Sequence, residues 1–123
     1  MFVAWSVAPT AALLRELYRS LAENADFRSE FDALIDFRAV RAFPSFEETR
    51  DIAEQRSAFE PAPGGPFSGR RALVASSDLG YGVARTTASL SQAPPAELRA
   101  FRTIREAADW LELPEGYPLP FGT

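Results

Sequence analysis

The chain has 123 residues, 46% of them apolar and 12% aromatic, with 24% charged side chains and a net charge of −4. That suffices for one domain burying roughly two thirds of its unfolded surface, and it is too apolar for the disordered class. The 13 basic residues are all Arg, with no Lys, His or Cys, which excludes a Schiff-base or P-loop lysine, a zinc site of ordinary ligands, a thiol nucleophile, a disulfide and a Ser-His pair.

Residues 2–8, FVAWSVA, are β-prone, and Pro9-Thr10 stops the strand while placing Thr10 to cap a helix. No positive charge precedes this apolar run and the first Arg is number 15, so it reads as strand and helix rather than a secretory leader. Leu14, Leu17, Tyr18 and Leu21 recur at i, i+3, i+4 and i+7, with Arg15, Glu16, Arg19 and Glu23 mostly opposite. This predicts an amphipathic helix ending near Asn24. The run 31–40, FDALIDFRAV, reads as a second strand in which Asp32, Leu34, Asp36 and Arg38 share one face. Ser45-Phe46-Glu47-Glu48 is a capping box, and the helix behind it is expected to bury Phe46, Ile52, Ala53 and Phe59. Residues 61–69, PAPGGPFSG, cannot continue that helix and form a loop with its mobility at Gly64-Gly65.

Arg71 to Ser77 reads as a third strand whose continuous ALVA suits burial on both faces of a parallel sheet. A third helix starts at Asp78 and stops before Ala93-Pro94-Pro95, and Leu98 to Thr103 supplies a fourth strand. Thr103 to Glu106 is a second capping box, opening a helix whose inward residues are Ile104, Ala107, Ala108 and Leu111. The Pro-rich tail 114–123 is expected as an extended arm after a single domain 1–113. Four alternating strand–helix units predict an α/β fold with a mainly parallel sheet and right-handed crossovers. The ten Phe are expected to dominate its core. No stretch approaches the roughly 20 apolar residues of a membrane span, so a cytoplasmic location is the expectation.

Three motifs then fall in order: L-x-D-x-R (Leu34, Asp36, Arg38), R-x-A-x-V-A-S-x-D-x-x-Y-G-x-A-R (from Arg70 to Arg85), and F-R-x-x-x-E-A-x-x-W-L (from Phe101 to Leu111). Together, over residues 2–113, they resemble the SpoIIAA-like bacterial proteins of the STAS and Sec14-like fold group. The resemblance implies a STAS-like α/β domain with a four- or five-stranded, mainly parallel sheet and about four helices. It implies a regulatory or binding role instead of catalysis. Family members begin with a hairpin whose first strand is missing or short here, which would leave FVAWSVA an exposed edge needing a partner. Antagonists of anti-sigma factors carry a phosphorylatable serine in a D-S-x-G setting; this chain has PSFEE, with Ser45 near that place.

Arg stays protonated, so carboxylates are the only candidate general bases near neutrality. The pairs Glu47/Glu48, Asp51/Glu54 and Glu112/Glu115 look like solvated helix faces, so no enzyme and no cofactor are expected. A pI near 4.8, with arginines scattered from 15 to 105, argues against nucleic acid. Ligands of open α/β sheets favour the carboxyl ends of the strands, which here supply Arg38, Arg41, Ser76, Ser77, Asp78 and Arg102. Backbone donors at the third helix, with Arg85 one turn on, form a candidate anion site, although Asp78 is expected to occupy those donors as the N-cap. An ion pair is expected between Asp36 and Arg38 or with a helix arginine. Tyr81 and Trp110 are candidates to line an apolar pocket, with core packing the competing reading. Ser45 is either a phosphoacceptor or simply the cap of its helix. The leading expectation is a non-enzymatic interaction module, acting as a homodimer or on another protein. The alternative is a carrier of a small apolar or anionic ligand near Tyr81, Arg85 and Trp110.

Overall fold

A computed structural model describes residues 2–7, 10–24, 32–43, 45–59, 69–90 and 98–119. Strands and helices alternate in the order β1 (Phe2–Ala4), α1 (Ala11–Glu23), β2 (Ala33–Asp36), α2 (Phe46–Phe59), β3 (Arg71–Val74), α3 (Asp78–Leu90), β4 (Leu98–Phe101) and α4 (Ile104–Trp110). The strands form one all-parallel sheet in the order β1-β2-β3-β4. The fold class is therefore α/β.

The pleat divides the sheet into two faces. Ala33, Ile35, Leu73 and Leu98 point to one, where Ala84 and Ala88 of α3 and Ile52 of α2 cover them. Leu34, Ala72, Val74 and Phe101 point to the other, covered by Ile104, Ala107 and Leu111 in and just after α4. Helices α1 and α2 pack on each other, as do α2 and α3, as expected where successive crossovers share one hand. Each fully buried Leu or Ile of these clusters contributes roughly 1.5–3 kcal/mol.

Every strand is shorter than the sequence pattern suggested, and at β2 the cause is visible. Beyond Asp36 its carboxylate accepts the Arg38 N–H at 2.9 Å, and the Val40 N–H reaches the Phe37 carbonyl at 3.0 Å. The chain therefore turns where the alternation of 31–40 continues on paper. The core is mostly aliphatic among the described residues, and five of the ten phenylalanines, at 27, 31, 59, 67 and 121, have side chains outside them. Among the described residues Phe101 is buried, whereas Phe2, Phe37 and Phe43 are half-buried and Phe46 is 61% exposed. Phe46 was expected inside; its place in the first turn of α2, ahead of the stretch that reaches the sheet at Ile52, leaves it outside.

The caps of α1 and α4 fall where the side-chain spacing put them. Thr10 Oγ1 accepts the Leu13 N–H at 3.2 Å, and Thr103 Oγ1 accepts the Glu106 N–H at 3.1 Å. On the outer face of α1, Arg19 bonds Glu16 and, at 2.9 Å, Glu23. Its guanidinium holds the Glu16 carboxyl below the usual range, but the cluster is solvated and screened and adds little to stability. The side chains of Leu14, Tyr18, Leu21, Ala53 and Phe59, and the loop residues 61–68 with Gly64-Gly65, lie outside the described residues.

The tail is more than a free arm. Tyr117 N–H bonds the Pro114 carbonyl at 3.0 Å across a turn that places Gly116 at φ 78°, and Leu119 returns to the cluster beneath α4. The Tyr117 ring centroid sits 6.1 Å from that of Phe2.

Candidate functional site

A cleft of about 360 Å³ opens at the carboxyl ends of β2 and β3. The β2–α2 loop contributes Phe37, Arg38, Val40, Arg41 and Phe43 to its wall; the β3–α3 connection contributes Ser76 and Ser77, and the first turn of α3 Leu79. Parallel pairing of β2 with β3 brings the two loops together. The volume falls in the range of small-ligand sites.

Gly80 lets the wall close. A Cβ at Gly80 would lie 2.8 Å from Phe43 Cζ, 2.9 Å from Ser77 Oγ and 3.2 Å from Ala75 Cβ, so the Phe43 ring can rest on the start of α3 only because no side chain intervenes. Arg38 is held rigidly. Its Nε and Nη2 bond the two oxygens of Asp36 at 2.9 and 3.0 Å, a forked geometry that fixes the guanidinium. The expected pair is present, made by a tight turn instead of strand alternation.

Ser77, and not Asp78, caps α3. Its hydroxyl oxygen accepts the Gly80 N–H at 3.0 Å, which leaves Asp78 as the first helical residue, its side chain 95% exposed and bonded to Arg102 Nη1 at 2.8 Å. Serine fits the cap because its shorter side chain folds back on the third helical N–H, while the carboxylate reaches across to β4. Arg102 then covers Tyr81, with Cζ 4.4 Å from the ring centroid, and Arg85 approaches the same ring at 5.9 Å. Asp78, Tyr81, Arg85 and Arg102 thus form a surface cluster beside the cleft, contributing none of its wall.

Trp110 does not join them. Its ring lies 5.4 Å from that of Phe101 on the α4 face, beneath Arg70 at 5.7 Å, so a pocket shared by Tyr81, Arg85 and Trp110 is not formed. Helical spacing alone could not tell which face of the sheet α4 covers. Ser45 is engaged as a cap: its Oγ accepts the Glu48 N–H at 3.2 Å and donates to the Glu48 carboxylate at 3.1 Å. Among the described residues no three acidic side chains converge as a metal site, and no helix is long and apolar enough to cross a membrane.

Sequence reasoning missed Phe37, Val40, Phe43 and Leu79 as wall residues. The available signal was the apolar character of the loop 37–43, FRAVRAF, directly after a strand and before a capping box. It also missed Arg71, which at 1% exposure is the largest fully buried side chain among the described residues. No family model matches the chain, and no curated protein or solved structure resembles it closely enough to stand as a relative.

Proposed function

We propose that this chain is a SpoIIAA-like, STAS-like domain, a non-catalytic cytoplasmic regulatory module that works through protein contacts and first of all with a second copy of itself. The observation that carries this reading is the pair of exposed apolar residues at one end of the sheet, Phe46 at 61% and Leu79 at 65% exposure. They stand on the first turns of α2 and α3, which pack side by side. Exposed Arg41 and Glu47 flank them, so the patch offers an apolar centre with both signs of charge around it. Such a surface can meet its own copy across a two-fold axis. Sedimentation velocity of the intact chain tests this: a mass above the 13.5 kDa monomer that falls to monomer in Phe46→Arg and in Leu79→Arg, with unchanged circular dichroism, is the expected result. A chain that stays monomeric up to its solubility limit, or variants that associate like the wild type, would overturn it.

A second reading has its own observation. The cleft at the ends of β2 and β3, where Phe37, Val40, Phe43 and Leu79 stand beside two arginines and two serines, joins apolar walls to convergent polar groups as a small-ligand site requires. Ligand binding there would act on the same end of the molecule, because Leu79 belongs both to the cleft wall and to the exposed patch.

A further inference from the structure

The polar lining of the cleft is cationic and hydroxylic. Arg38, Arg41, Ser76 and Ser77 supply it, and among the described residues no carboxylate stands on the wall. Asp36, the acid next to the site in sequence, holds Arg38 through both oxygens, so that pair adds little net charge. Arg41 differs: it is exposed and makes no hydrogen bond or ion pair among the described residues. The Ser76 hydroxyl is likewise without a partner there and exposed. Ser77 uses its oxygen as acceptor for Gly80 and keeps its O–H as a donor. Glu47, the exposed acid on the first turn of α2, and Glu48, bonded to Ser45, are not on the wall. Donors therefore exceed acceptors around a floor of Phe37, Val40, Phe43 and Leu79. The complement of such a surface is an anion attached to an apolar body.

We infer that the cleft binds a small carboxylate with an apolar body of aryl-alkanoate size, its carboxylate on Arg41 and the Ser76 hydroxyl and its ring against Phe37 and Phe43. The guanidinium fork suits a planar carboxylate, which it can engage through two parallel hydrogen bonds. Asp36 keeps Arg38 in place beside it, so of the two rim arginines only Arg41 has to be ordered on binding. This inference rests on the second reading above, that the cleft is a ligand site.

Isothermal titration of the intact protein with 3-phenylpropionate and with 3-phenyl-1-propanol separates the two claims. The acid is expected to bind one-to-one, and the alcohol about tenfold more weakly or worse, because the charge-assisted bonds are lost. Arg41→Ala should remove that difference while leaving the alcohol where it was. Arg105→Ala, an exposed arginine on α4, should change neither titration. Equal binding of acid and alcohol, or an acid affinity untouched by Arg41→Ala, overturns the assignment of a carboxylate while leaving the cleft as an apolar site. If neither probe binds, or if Phe43→Ala weakens neither, the reading of the cleft as a ligand site falls with it.

Discussion

Two glycines two positions apart, Gly80 and Gly82, do opposite work in α3. At Gly80 a methyl group would meet the Phe43 ring and the Ser77 hydroxyl inside 3 Å, so Gly80→Ala must displace either the cleft wall or the helix cap. Losing the cap costs about 1 kcal/mol and overpacking about 1–3 kcal/mol, against a helix-propensity gain of about 1 kcal/mol. The net expectation is a loss of up to about 2 kcal/mol. Gly82 has nothing within 4 Å of an added Cβ and sits exposed in the same helix, so Gly82→Ala is expected to gain about 0.5–1 kcal/mol. Urea denaturation of the two variants checks the sign of each; if Gly80→Ala stabilised as Gly82→Ala does, the close approach of Phe43 would be wrong. The adjacent Ser76-Ser77-Asp78 shows how fine such assignments are, since moving the cap by one residue turns Asp78 from a helix cap into the ion-pair partner of Arg102.

Among the elements, α4 leans on a single residue outside it, Arg70. It has only seven residues, fewer than an isolated helix needs to persist in water. Its carboxyl end is closed by Leu113 N–H on the Ala108 carbonyl and Glu112 N–H on the Asp109 carbonyl, both at 3.0 Å, with Glu112 at φ 60°. That is a Schellman arrangement without its usual glycine. Arg70 completes it, donating to the Trp110 carbonyl at 2.8 Å and the Leu111 carbonyl at 3.3 Å, stacking on the Trp110 ring and pairing with Glu112 at 3.2 Å. Arg70→Ala is expected to cost about 1–2 kcal/mol, as carbonyl bonds to a charged donor and a cation–π contact are lost together. In a Trp5→Phe background, loosening of Trp110 should appear as a fall in near-ultraviolet circular dichroism; an unchanged spectrum would refute the clamp. The start of α4 could be read in advance because T-x-x-E carries its own geometry, whereas its clamp could not, because Arg70 lies 40 residues earlier. The same holds for the cleft. Strand existence and the parallel sheet followed from local periodicity, but β2 and β3 lend the cleft loops some 35 residues apart, and only their pairing makes Phe43 and Leu79 neighbours. Strand ends were overestimated for a related reason: apolar alternation continues past Asp36, while the hydrogen-bonded turn that ends β2 is decided by one carboxylate and its Arg38 partner.

The two faces of the sheet are protected unequally, and that difference makes the tail part of the fold. One face lies under α2 and α3, each more than ten residues long. Among the described residues the other has α4 and, beyond it, Leu113 and the returning segment with Tyr117 and Leu119. β1 is an edge strand of three residues, too short to be a strong template for further pairing, and its Phe2 meets Tyr117 on this thinner side. A chain ended after Leu113 would uncover Phe2 and part of the Leu34, Val74 and Phe101 cluster. Burial of one Leu side chain is worth about 2 kcal/mol, so the truncation, and to a lesser degree Leu119→Ser in the full chain, should lower the urea midpoint and raise binding of an apolar dye. The truncation should leave the cleft's selectivity between 3-phenylpropionate and 3-phenyl-1-propanol intact, because Arg41 and Phe43 belong to the β2–α2 loop at the carboxyl ends of the strands and the described tail residues contribute nothing to the cleft wall. If removing the tail changed that selectivity with no loss of stability, the separation between a supporting face and a binding end would be wrong.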